Sequence, residues 1–126
     1  MRPAMRLSVA IGLQAAVLVA AGALRPRRVV VEGESMAPGL LAGDRLLVVR
    51  VRRIQPGDVV VLRDPRDSRR LLVKRVAALD AGKVLVLGDN QSMSTDSREF
   101  GPVSPGQLLG KVVRRYGPPS RAGPIA

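Results

Sequence analysis

The side chains able to do chemistry in this sequence are few, and what is missing is as informative as what is present. The 126 residues include no Cys and no His. That excludes a thiolate nucleophile, a disulfide framework and a Cys-based zinc site, and it removes the usual neutral-pH base and the usual transition-metal ligand. Acid–base work near neutral pH must then fall to Lys, Asp, Glu or Tyr with a shifted pKa. Three stretches carry suitable residues. In Gly33-Glu34-Ser35-Met36-Ala37-Pro38 the glycine and the proline bend the backbone and leave a small hydroxyl at the bend. Standing alone, Ser35 reads as an ordinary loop serine.

The second stretch is Leu71 to Leu79, which reads as a strand. Alternation puts Leu72, Lys74 and Val76 on one face and Leu71, Val73, Arg75 and Ala77 on the other. Arg75 can face solvent, which leaves Lys74 among Leu and Val. A lysine desolvated by aliphatic neighbours has a lowered pKa and can serve as a neutral base. Arginine cannot do this, because it stays protonated. The chain has 18 Arg and only three Lys, at 74, 83 and 111, so a lysine here is informative. A surface lysine on an edge strand is the alternative. The third stretch is the polar loop Gly88-Asp89-Asn90-Gln91-Ser92-Met93-Ser94-Thr95-Asp96-Ser97-Arg98. Asp89, Asn90 and Asp96 can form Asx-type turns that stiffen it. Asp96 and Arg98 could pair, and Ser94 could orient a lysine amine. A calcium loop is a poor reading, with too few carboxylates and no terminal bidentate Glu; no metal or other cofactor is expected.

The elements that must position these residues are mostly strands. Valines dominate a core with one Phe, one Tyr and no Trp, and β-branched residues favour sheet. Strands are expected at Val29–Val31, Arg45–Val51, Val59–Leu62, Leu71–Leu79, Lys83–Leu87 and Leu109–Tyr116. Gly43-Asp44, Gly57-Asp58 and Asp80-Ala81-Gly82 supply turns. The two Gly-Asp units resemble each other, which good turn chemistry explains without a true repeat. Ahead of the sheet, residues 7–24 carry no charge. As a helix they would span roughly 27 Å, just enough for a bilayer core. We therefore expect an N-terminal segment (1–28) with one transmembrane helix, a β domain (29–117) and a disordered basic tail (118–126). A cleaved signal peptide is the rival for the first segment, and the basic residues close behind it argue against cleavage. The flanking charges are near a tie under the positive-inside rule. The net charge of +11 suggests anionic partners, either membrane lipids or nucleic acid; a high-GC genome that writes Arg and Val freely explains it equally well. The stacking aromatics of single-strand binders are missing, so no specific nucleic acid is expected.

Taken in order, these features resemble the type I signal peptidase family of serine proteases. The resemblance rests on the apolar anchor, Gly33 to Pro38, the Gly-Asp strand, Leu72-Val73-Lys74-Arg75-Val76, and Gly88-Asp89-Asn90 through Ser94-Thr95-Asp96-Ser97-Arg98 to Gly101. It covers about residues 29–116. It implies a mainly β fold, the small barrel or sandwich core (LexA-like) of signal peptidases, behind a single-pass anchor. It implies a Ser/Lys dyad with Ser35 as nucleophile and neutral Lys74 as general base. The Ser35 N–H would form part of an oxyanion hole. Ser94 would position the Lys74 amine, Asp96 and Arg98 would support the loop together with Asp89, and Met36 would fix the turn and line the cleft. The substrate would be a precursor protein or peptide, bound extended, with small residues before the cut.

Two positions depart from the family pattern. Gly33 stands where many members place a serine whose hydroxyl completes the oxyanion hole, and Gly39 stands where Thr is common, loosening the turn. The stretch between Lys74 and Gly88 is short, so this is a minimal core. Through the run from Val73-Lys74-Arg75-Val76-Ala77-Ala78 to Arg115-Tyr116-Gly117-Pro118, the chain also resembles small maturation proteases of nickel-type superoxide dismutase. These would act in the cytoplasm, whereas a secretory signal peptidase places its catalytic domain outside; the extracytoplasmic side is the expectation and the cytoplasmic side stays open. The non-enzymatic alternative is a basic, membrane-anchored binding module.

Overall fold

The computed structural model describes residues 25–125. The expected transmembrane span at 7–24 lies outside them, and among the described residues no helix is long and apolar enough to cross a membrane. The elements are β1 (Arg27–Val30), β2 (Arg45–Val49), β3 (Val59–Asp64), β4 (Asp67–Asp80), β5 (Lys83–Leu87), α1 (Ser97–Phe100) and β6 (Leu108–Gly117). Three single 3-10 turns complete the set. The strands form one antiparallel sheet in the order β1-β2-β6-β3-β4-β5.

The chemistry of the strands explains this order. In β3, Val59 to Leu62 are all buried, as a strand covered on both faces must be. β2 and β5 bury alternate residues only. Alternation along β3 then divides the core in two. Val59 and Val61 pack with Val29, Leu46, Val48, Val73 and Val112 inside the curl of the sheet. Val60 and Leu62 pack with Leu72, Val76, Val84, Val86 and Val103 on the other side, beneath the segment that follows β5. The two Gly-Asp turns are built alike: Asp44 accepts from the Leu41 N–H at 2.9 Å and Asp58 from the Gln55 N–H at 3.0 Å. This is the turn chemistry read from the sequence.

Two expectations need correction. The core is mainly β, but the sheet is not a closed barrel, because β1 and β4 do not pair. β1 is one edge of the sheet. β4 pairs with β3 up to Arg75 and with β5 only from Arg75 onward, so residues 70–74 present a second open edge. Residues 118–125, expected from composition to be disordered, follow a defined path. The Arg115 and Gly123 backbones bridge, Ile125 packs on the inner core, and Arg121 bonds both oxygens of buried Asp44 at 2.8 and 2.9 Å. Composition hid this because the anchoring contacts are long-range.

Candidate active site

The Ser35 turn is held from two sides. From below, the Met36 side chain is 1% exposed and packs in the inner core. Its sulfur accepts from the Asp89 N–H at 3.4 Å. From the side, the Asn90 N–H donates to the Ser35 carbonyl at 2.8 Å, and the Asn90 side-chain amide donates to the Glu34 carbonyl at 3.1 Å. Met36 thus sits beneath the turn, in the inner core, and is not among the residues that line the cleft. The far end is fixed too. Arg115 and Arg121 donate to the Gly39 carbonyl, so Gly39 does not leave the turn loose. Gly33 has φ +73°, the left-handed region that disfavours a side chain. Any side chain here, a serine included, would be strained. Among the described residues, neither the Ser35 hydroxyl nor its N–H has a hydrogen-bond partner within the chain, so both are available to a ligand.

Lys74 is 2% exposed and lies on the β4 face shared with Leu72 and Val76, as alternation requires. Burial pushes its pKa below the ordinary lysine value, against the opposing pull of the Asp96 and Asp64 carboxylates. Its amine donates to Ser94 Oγ at 3.0 Å, and Ser94 Oγ donates to Asp96 Oδ2 at 2.7 Å. Asp96 is fully buried. Burial works to raise its pKa but is outweighed by hydrogen bonds from the Arg98 side chain, the Gly88 N–H and Ser94, so the carboxyl stays well below the usual range. Asp96 also caps α1 by accepting from the Arg98 N–H, and Arg98 reaches the Gln91 carbonyl at 2.8 Å. Asp89 accepts from Arg75 Nε and from one of its terminal nitrogens at 2.9 and 3.0 Å. Arg75 thus ties β4 to the polar loop instead of merely facing solvent.

Ser35 and Lys74 line one cleft of about 370 Å³. One wall is Val30 to Glu34, the open edge beyond β1. The other is Arg70 to Lys74, the open edge of β4, with Arg66 nearby and Met93 and Thr95 at the rim. The gap that keeps the sheet from closing is this cleft. Acidic Glu32 and Glu34 face basic Arg66 and Arg70 across it.

The structure brings together Ser35, Lys74, Ser94, Asp96, Arg98 and Asp89, all of which the sequence singles out. Sequence reading did not single out Gly88. A Cβ there would lie 2.1 Å from Ser94 Oγ and 2.8 Å from the Ser35 carbonyl oxygen. Only glycine lets the Lys74–Ser94 pair and the Ser35 turn approach this closely. Its place at the head of the polar loop was the available signal. Asn90 was read as a turn former; its tie to the Ser35 turn spans 55 positions and leaves no local trace. The cleft-wall charges were likewise invisible before β1 and β4 were placed face to face.

The comparisons with known proteins bear on most of the chain. The model of the family described as signal peptidase, peptidase S26, matches residues 4–81 and 78–116. The mitochondrial ATP-independent inner membrane protease subunit 1a of Arabidopsis thaliana is 36% identical, over 75% of this chain and 73% of that protein. The mitochondrial inner membrane protease subunit 2 of Schizosaccharomyces pombe is 38% identical, over 75% of this chain and 67% of its own. Over these lengths and identities, the chain belongs to the signal peptidase S26 family.

Proposed function

We propose that this peptidase is a membrane-anchored serine endopeptidase that removes N-terminal signal peptides or propeptides from precursor proteins through a Ser35/Lys74 dyad. The observation that carries the reading is Lys74: a buried amine of lowered pKa, hydrogen-bonded to Ser94 and opening on the cleft that Ser35 lines. The precursor lies extended between the edges of β1 and β4, adding backbone hydrogen bonds to strands that lack a partner there. Neutral Lys74 takes the Ser35 hydroxyl proton as the oxygen attacks the scissile carbonyl. The developing oxyanion is stabilised by the unpaired Ser35 N–H. Collapse to the acyl-enzyme releases the amine, which receives the proton from Lys74, and water then hydrolyses the ester. The resting Lys74–Ser94 bond is compatible with this sequence, since catalytic hydrogen bonds often tighten only with substrate bound.

The inner membrane proteases among its relatives support a membrane location, which we assign to a single pass at residues 7–24 with the catalytic domain on the extracytoplasmic side. A reporter fused at Ala126 that is active only in the cytoplasm would reverse that side. For the chemistry, candidate precursors are incubated with wild type, Ser35→Ala and Lys74→Ala. We expect each substitution to lower cleavage by at least ~10³-fold. Full-rate cleavage by either variant would refute the dyad.

A further inference from the structure

A second concave site lies at the opposite end of β1 from the Ser35 turn. Arg25 and Arg27 enter it from the start of β1, and Arg50 from the residue after β2. Val48, Leu108 and Leu109 form its floor, and it encloses about 300 Å³. Three arginines line this hollow, and among the described residues none of them has an ion pair. By contrast, the arginines around the polar loop and the tail are matched to carboxylates: Arg75 to Asp89, Arg98 to Asp96, Arg115 and Arg121 to Asp44. Unmatched arginines gathered in a hollow suit an anion from outside, and their planar forks suit a phosphate group best.

The surroundings indicate which phosphate. The floor is apolar, as a headgroup with attached glycerol and acyl chain would require. Arg25 follows directly on the uncharged run of residues 7–24, so the hollow sits where the chain leaves that apolar segment. Basic charge near such a boundary favours anionic lipid. The basic surface also continues around the turn containing Pro105 and Gly106, into a neighbouring hollow lined by Arg52, Lys83, Ile54 and Leu79. Leu79 is 47% exposed. A surface that mixes unpaired cations with exposed aliphatics fits the headgroup layer of a membrane.

We propose that Arg25, Arg27 and Arg50 form a site for the phosphodiester headgroup of an anionic phospholipid, which seats the β domain on the bilayer with the start of β1 facing the membrane. This role rests on the membrane anchoring proposed above and does not depend on peptide cleavage.

The test uses the full chain in uncharged detergent micelles with added phosphatidylglycerol, lipid binding being read by native mass spectrometry. Two variants probe the site without touching Arg25, which flanks the apolar run. Arg27→Gln/Arg50→Gln removes two exposed cations. Gly106→Glu places a carboxylate at the rim, where a new Cβ meets nothing within 4 Å. Gly106 is remote in sequence from the anchor, so its effect requires the folded hollow. Each variant should weaken phosphatidylglycerol binding by about tenfold or more, while Arg114→Gln, an exposed arginine elsewhere, should not. Unchanged binding in both variants overturns the proposal, as does equal binding of phosphatidylcholine. Displacement of the lipid by equimolar inorganic phosphate would make the site one for free phosphate, and displacement by a short oligonucleotide would make it a nucleic-acid site; either result also overturns it. Lipid binding that persists in a chain unable to cleave precursors would sink only the protease reading.

Discussion

At the scale of single residues, the proposed catalysis turns on the protonation of Lys74. Burial lowers its pKa while Asp96 and Asp64 pull it back up. As a base it must be neutral, so kcat/KM should rise with pH along a limb whose pKa lies below the ordinary lysine value of about 10.4. Asp96→Asn removes an opposing charge, so the limb should move to lower pH in whatever activity remains. Stability follows the same group with a definite sign. The folded state holds the Lys74 proton less tightly than the unfolded chain, so the charged amine destabilises the fold below its folded pKa. That penalty fades as pH rises from the folded pKa toward about 10.4. Lys74→Met should therefore abolish activity and stabilise the protein by on the order of 1 kcal/mol at neutral pH, read by denaturant unfolding. A loss of stability would mean that Lys74 is a structural anchor. Most of this was legible in the sequence, because a lone lysine among valines on an alternating strand needs only the period of 2 to be placed.

At the scale of elements, the site depends on how closely the polar loop approaches the Ser35 turn. Gly88 stands between Ser94 and the Ser35 carbonyl with no room for a methyl group. Gly88→Ala should displace one of them and lower kcat by about 10²-fold, with circular dichroism like that of wild type. Wild-type kcat would show that the approach is not needed. Asp96 fixes the other side of the loop by accepting from Gly88, Ser94 and Arg98. Asp96→Ala leaves these donors and the α1 cap unmatched, and should cost roughly 2–3 kcal/mol in denaturant unfolding. The loop's composition announced its rigidity, and the Asp96–Arg98 pair was readable from its spacing of two. The clamp of Asn90 on the Ser35 turn was not, since it joins positions far apart in the chain.

At the scale of the whole molecule, one open sheet accounts for both the cleft and its stability. The strands were legible from valine runs punctuated by Gly-Asp turns. Closure was not, because whether β1 meets β4 depends on the curl of the sheet and not on any local pattern. The C-terminal residues show the same limit. Read alone they are Pro, Gly and Arg, yet Arg121 compensates Asp44 and, with Arg115, holds the Gly39 carbonyl at the end of the Ser35 turn. The Arg121 hydrogen bond keeps the Asp44 carboxyl below its usual pKa despite burial. Truncation after Gly117 should therefore lower the thermal midpoint by roughly 8–16 °C, equivalent to about 2 kcal/mol. It should also lower activity through the loosened turn, without touching Ser35 or Lys74. An unchanged midpoint would make the tail a passive extension.

The central claim, that Lys74 activates Ser35 to form an acyl-enzyme, is tested most directly by intact-protein mass spectrometry. A peptide ester substrate is mixed with the full chain in detergent at pH 8 and quenched with acid within the first turnover. Wild type should carry one acyl group, mapped by fragmentation to Ser35, while Ser35→Ala and Lys74→Ala should carry none. An acyl group on another residue, or undiminished acylation of the Lys74→Ala protein, would contradict the account.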